Sequence, residues 1–187
     1  NYSWTSTMKL EGVPWNPGPQ NGKAEKSGLA CISQEMNDRT IEAVMKGEKR
    51  ALKTDEGWKT LAELEQADAG GQGRGRMMGR MLANVKTPAD EVLSLADKVK
   101  ELKAEDGGAL CGQLTDEGAK ELMTFGRRPS QAGAQVAGPK NAKGSAKFWL
   151  KDGSLTKFEV QVSGTITREQ QDTDITRTTT VEIKDVG

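Results

Sequence analysis

The chain has 187 residues, enough for one domain around a single core, but only 34% of them are hydrophobic and 4% aromatic, so that core must be lean. Its 27 basic and 27 acidic side chains cancel, which removes any general attraction to nucleic acid or acidic membranes. It has no histidine, which excludes a Ser-His-Asp triad, a Cys-His pair and a histidine metal site, and no apolar run of the roughly 18 residues that a membrane-spanning helix needs.

The chain opens at Asn1 directly on a strand pattern, which fits either an exported protein whose leader has been removed or a chain cut by design. Over residues 2–10, Tyr2, Trp4, Met8 and Leu10 alternate with Ser3, Thr5, Thr7 and Lys9, the period of a half-buried strand. Val13 to Gly22, with three prolines and two glycines around Trp15, reads as a loop. Short strands are predicted at Leu29–Met36, Thr40–Lys46 and Arg50–Thr54, separated by turns at Asn37-Asp38-Arg39, Gly47-Glu48 and Asp55-Glu56-Gly57, the pattern of an antiparallel meander.

Thr60 and Glu63 have capping-box spacing, so a short helix is predicted from Leu61 to about Ala67. A glycine- and arginine-rich loop over 70–79 should lead into a short helix bearing Met77, Met78, Met81 and Leu82. Thr87 then caps a helix that takes Pro88 in its first turn and Asp90 and Glu91 at its positive end. Val92, Leu95, Ala96, Val99 and Leu102 would form its apolar stripe, with Gly107-Gly108 as the stop. A strand at Ala109–Leu114 precedes a helix capped by Thr115 and ended by Gly126, and residues 127–145 read as a loop. Asp152-Gly153 joins a hairpin of Lys147–Lys151 and Leu155–Ser163, Glu169–Asp174 is turn-like, and Ile175–Val186 is a last strand with Ile175, Thr179, Val181 and Ile183 facing in. Strands over about 2–58, helices over about 60–126 and strands over about 146–186 predict one α+β domain, an antiparallel sheet with two or three helices on one face.

Chemical motifs are sparse. Gly71-Gln72-Gly73-Arg74-Gly75-Arg76 fits neither dinucleotide nor P-loop spacing and reads as a basic loop, solvated or touching anionic headgroups or a partner. The run Arg127, Arg128, Lys140, Lys143, Lys147 and Lys151 reads the same way, and without interleaved aromatics neither run predicts nucleic-acid binding. Asp55 with Glu56 and Asp172 with Asp174 sit in polar turns, where solvated acids are expected rather than a hydrolase pair or a calcium site. No metal, cofactor or catalytic residue is predicted. The methionines suit either core packing or a deformable lid, and Trp15 is the tryptophan best placed for an exposed contact. Cys31 and Cys111 lie in strand-like stretches and are expected either as two buried free thiols or as one disulfide between neighbouring strands.

The stretch from Gly47 through Lys49-Arg50-Ala51-Leu52-Lys53-Thr54 to Gly57-Trp58 resembles the strand, turn and tryptophan segment of the bacterial lipoprotein-carrier superfamily, LolA and LolB with their LppX and RseB relatives. Phe148-Trp149-Leu150-Lys151-Asp152-Gly153-Ser154-Leu155 to Val160 is similar to a returning hairpin of those proteins, as is the closing strand that ends at Asp185-Val186-Gly187. The resemblance implies an exported, periplasmic protein: a strongly curved half-barrel with helices in its concave face, a cavity for an acyl chain or another apolar ligand, and peripheral or lipid-anchored membrane association. No motif transfers a functional residue. The expected activity is non-enzymatic binding of an apolar or lipid-like ligand, with Trp4, Met8, Leu10, Met77, Met81, Val92, Leu95 and Val99 as core residues that would also line the cavity. The alternative is an envelope scaffold or protein-interaction domain with a filled core, engaging a protein partner through the threonine-rich edge or the Trp15 loop.

Overall fold

The computed structural model describes residues 1–14, 16–36, 39–67, 79, 82–105, 107–124, 138–168 and 171–187. In chain order the elements are β1 (Tyr2–Glu11), β2 (Gln20–Ala24), β3 (Leu29–Met36), β4 (Arg39–Lys46), β5 (Lys49–Thr54), β6 (Gly57–Thr60), α1 (Leu61–Ala67), α2 (Pro88–Ala96), β7 (Lys103–Glu105), β8 (Ala109–Gln113), α3 (Asp116–Met123), β9 (Lys140–Lys151), β10 (Ser154–Arg168) and β11 (Gln171–Lys184). Among the described residues the 11 strands form one antiparallel sheet in the order β6-β5-β4-β3-β2-β1-β11-β10-β9-β8-β7. The first and last long strands meet in the middle, where Trp4 lies opposite Ile183 and Met8 opposite Thr179. Both edges, β6 and β7, are short and carry lysine, which discourages pairing with another chain. The α+β class is as expected, and the sheet is not closed.

Paired residues share a face, so the register sorts the side chains. Trp4, Ile32, Ala43, Leu52, Val181, Phe158, Val160 and Phe148 fall on one face, and all are buried. The three helices cover this face. Leu64 of α1 packs with Leu82 on Ala43 and Leu52, while Leu95 of α2 and Ala119 of α3 join the main cluster around Phe158 and Val162. Phe158 and Phe148 stack with ring centroids 6.3 Å apart. The opposite face of β1 and β9–β11 bears Thr5, Thr7, Thr178, Thr180, Lys147 and Glu159, the one-sided polarity common in antiparallel sheets.

The helix starts follow their sequence signals. Thr60 and Glu63 form the reciprocal capping box, Thr87 accepts the Asp90 amide, and Thr115 accepts the Gly118 amide. The ends differ. α2 stops at Ala96 rather than continuing toward Gly107. Beyond Asp97 the chain pairs with the β8 segment: the Lys98 carbonyl accepts the Thr115 amide at 2.7 Å, and the Lys100 amide donates to Gln113 at 2.9 Å. Gly112 permits this approach, because a Cβ there would lie 2.3 Å from Val99 Cγ1. Leu102, predicted on the apolar stripe, is consequently exposed, and Lys103–Glu105 is strand.

Four further expectations are corrected. Gln20, Asn21 and Gly22, read as the end of a loop, belong to β2. Residues 140–145, also read as loop, begin β9, whose inward positions are the small Ala142, Gly144 and Ala146. The β10–β11 hairpin extends to Arg168 and Gln171, so Asp172 and Asp174 lie on a strand rather than in a turn, cross-linked by Thr167 and Thr165 at 2.5 and 2.7 Å. Cys31 and Cys111 are both free and not fully buried; β3 and β8 are separated by five intervening strands, so they are not neighbours that a disulfide could join.

Candidate binding site on the open sheet face

Among the described residues no helix lies over the other face of the sheet, and that face carries a continuous row of side chains. Trp58 pairs with Lys53, Lys53 salt-bridges Glu42, and Glu42, Ser33, Asn21 and Thr5 pair in turn across β4 to β1. The row continues through Glu182 and Lys157 to Trp149, so from Trp58 to Trp149 it crosses nine strands. A parallel row runs Ala51, Val44, Cys31, Lys23 and Ser3.

Over the first part of these rows lies an open hollow of about 460 Å³, lined from the open face by Ser3, Thr5, Asn21, Lys23, Cys31, Ser33, Glu42, Val44 and Trp58, with Trp4, Gly22, Ile32 and Ala43 beneath. Gly22 makes the floor thin: it has no side chain, and the Trp4 indole fills the space on its other side. Trp58 stands at the hollow with half of its surface exposed. Thr5 Oγ1 donates to Asn21 Oδ1 at 2.9 Å, which leaves the Asn21 amide nitrogen as a donor. Farther along the row the Lys157 ammonium lies 4.6 Å from the Trp149 ring centre and occupies that indole face.

Of the predicted cavity residues, Trp4, Met8, Leu10, Val92, Leu95 and Val99 belong to the helix-covered side, and of these Trp4 alone lines this hollow. Trp4 and Leu95 are sealed in the core at 3% and 2% exposure, and Trp4 meets the hollow from below. Met8, Leu10, Val92 and Val99 are half-buried on the helix-covered side. Met77, Met78, Met81, Trp15, and the arginines at 74, 76, 80, 127 and 128 lie outside the described residues. Trp58 was not among the expected site residues. Its one sequence signal is its place in the phase of the exposed Lys53 rather than of buried Leu52.

Two electrostatic clusters lie elsewhere. Under α2, burial pushes the Glu91 carboxyl up, against the attraction of Arg177 and Lys86. Arg177, lowered by the same burial, donates to the Leu122 carbonyl at 2.7 Å and so caps the end of α3. On the open face Lys147 salt-bridges Glu105 at 3.0 Å, and the Cys111 thiol is held up by burial and by its hydrogen bond to Glu105. That thiol is therefore a poor nucleophile. Among the described residues no group of three or more His, Cys, Asp or Glu could hold a metal ion, and no helix is long and apolar enough to cross a membrane. No protein-family model, no curated protein and no solved structure matches the chain.

Proposed function

We propose that the chain is a non-enzymatic binding module that engages its ligand or partner from outside, on the open face of the sheet. The observation that carries this reading is the open hollow beside half-exposed Trp58. It is supported by the packing of the opposite face, where Phe158, Val162, Val181, Leu95 and Ala119 fill the space between sheet and helices. That is the filled-core alternative drawn from the sequence, with Trp58 in place of the Trp15 loop as the contact.

A second reading keeps the lipoprotein-carrier resemblance: an exported, extracytoplasmic half-barrel that takes an apolar or lipid-like ligand beneath its helices. Two observations favour it. An open sheet of this many strands tends to curl, and on the helix-covered side Val92 and Val99 pack half-buried against the core, while Met8 and Leu10 of β1 are also half-buried.

Native mass spectrometry after exposure to a membrane-lipid extract and to a soluble glycan extract separates the two. An adduct lost in Trp58→Ala but kept in Met8→Gln supports the outer face. The reverse supports the chamber, and absence of any adduct with either extract refutes both.

A further inference from the structure

The side chains around the hollow also define the chemistry of what fits it. Its apolar groups are Val44 of β4 and the indole of Trp58 on the open face, with Trp4, Ile32 and Ala43 beneath. The adjoining strands contribute Ser33, Asn21 and Thr5, which are neutral and can both donate and accept hydrogen bonds. The one carboxylate among the lining residues, Glu42, is neutralised by its salt bridge to Lys53 and still offers acceptor oxygens.

This division selects against other ligands. An acyl chain lying here would strip water from Ser33, Asn21 and Thr5 and return no hydrogen bonds. The charged groups at the hollow are Lys23 and the Glu42–Lys53 pair, which can hydrogen-bond hydroxyls as donor and acceptor. A neutral ligand with one C–H face and a rim of hydroxyls satisfies both parts: its C–H face covers the electron-rich indole face, and its hydroxyls exchange hydrogen bonds with Thr5, Asn21 and Ser33. The hollow, about 460 Å³ in volume, is open on one side, so a ligand held there keeps part of its surface in water.

We propose that the hollow beside Trp58 binds a neutral oligosaccharide, with Trp58 stacked on a sugar ring and Asn21, Thr5 and Ser33 bonded to its hydroxyls. This rests on the outer-face reading and adds the ligand class to it. The thin floor at Gly22 and the Trp4 indole behind it hold the site on the rigid core rather than on a loop. Nothing covalent is required, and the ligand leaves as it arrived.

The test is a titration of the whole chain, uniformly labelled with nitrogen-15, with cellohexaose, chitohexaose, maltohexaose and mannohexaose at millimolar concentration, in parallel with lysophosphatidylcholine below its micelle concentration. The four indole N–H signals are followed. The expected result is a saturable shift of the Trp58 signal with at least one hexasaccharide. Trp58→Ala should weaken that binding by about 10-fold or more, as judged from the backbone signals of β2 and β3, and Asn21→Ala by a smaller factor. No shift with any of the four sugars, or a shift that Trp58→Ala leaves intact, overturns the proposal. In either case a Trp58 response to lysophosphatidylcholine leaves the outer-face reading standing, whereas no Trp58 response to any probe removes both.

Discussion

The indole of Trp4 lies directly against Gly22 on the neighbouring strand: a Cβ added to Gly22 would sit 2.1 Å from Trp4 Cζ2. Trp4 is at the same time the largest side chain that the core draws from β1. Gly22→Ala must therefore displace the ring from its packed position. The expected cost is about 1–3 kcal/mol, as for other overpacked cores, measured by urea unfolding. Trp4→Phe in the same background should recover part of the loss, because a smaller ring leaves room for the methyl group.

Two arginines on the covered face play a second structural part. Arg50 Nη1 donates to the carbonyls of Leu82, Ala83 and Val85 at 2.8, 2.7 and 2.9 Å, closing the C-terminal end of the helical turn over 82–84. A lysine ammonium has no planar fork and must give up part of this geometry. Arg50→Lys should cost about 1 kcal/mol and Arg50→Ala about 2–3 kcal/mol, on the scale of charged hydrogen bonds. Amide exchange should quicken at Val85, whose N–H bonds the Leu82 carbonyl, before it changes in β10.

These arginines show where the sequence is legible and where it is not. Local chemistry was readable: the threonine caps at 60, 87 and 115, and the Asp152-Gly153 turn, where both residues adopt positive φ of 52° and 76°. Features that depend on a neighbour were not. β2 looks like a loop because its main inward residue is Gly22, and the apolar group it needs is supplied by Trp4. Val99 and Leu102 fall in helical phase with Leu95, yet the room left at Gly112 favours pairing with β8. Arg177 sits at an inward position of β11 among threonines, and its reason for being there, the Leu122 carbonyl, lies 55 residues away. The hollow draws on five strands, with no run of chain that contains it.

Glu91 should make stability depend on pH in an unusual direction for a carboxylate. Burial raises its folded pKa above the ordinary 4.5, so the folded chain holds this proton more tightly than the unfolded chain. The folded state then binds more protons than the unfolded state between 4.5 and the raised value, and this group's contribution to stability falls as pH rises through that window. Glu91→Gln removes the dependence. The variant should melt higher than the parent at neutral pH, with the gap closing as pH drops below the ordinary carboxylate value. A parent that instead melts above Glu91→Gln at neutral pH, and loses that advantage in acid, would mean that the Arg177 attraction outweighs burial.

Cys31 provides a reporter for the hollow. It is exposed, lies in the same row as Val44 and Lys23, and lines the cavity. Cys111 is half-buried, and burial and the Glu105 hydrogen bond hold its thiol up, which lowers the reactive thiolate fraction. In the native protein a maleimide should therefore modify Cys31 first and Cys111 slowly, and both should react once the chain is unfolded without reductant. An oligosaccharide that shifts the Trp58 indole signal should also slow labelling of Cys31 while leaving Cys111 unchanged. Slowing at both sites would indicate general tightening of the fold. Slowing at Cys31 alone, abolished by Trp58→Ala, would locate the ligand in the hollow between the two side chains.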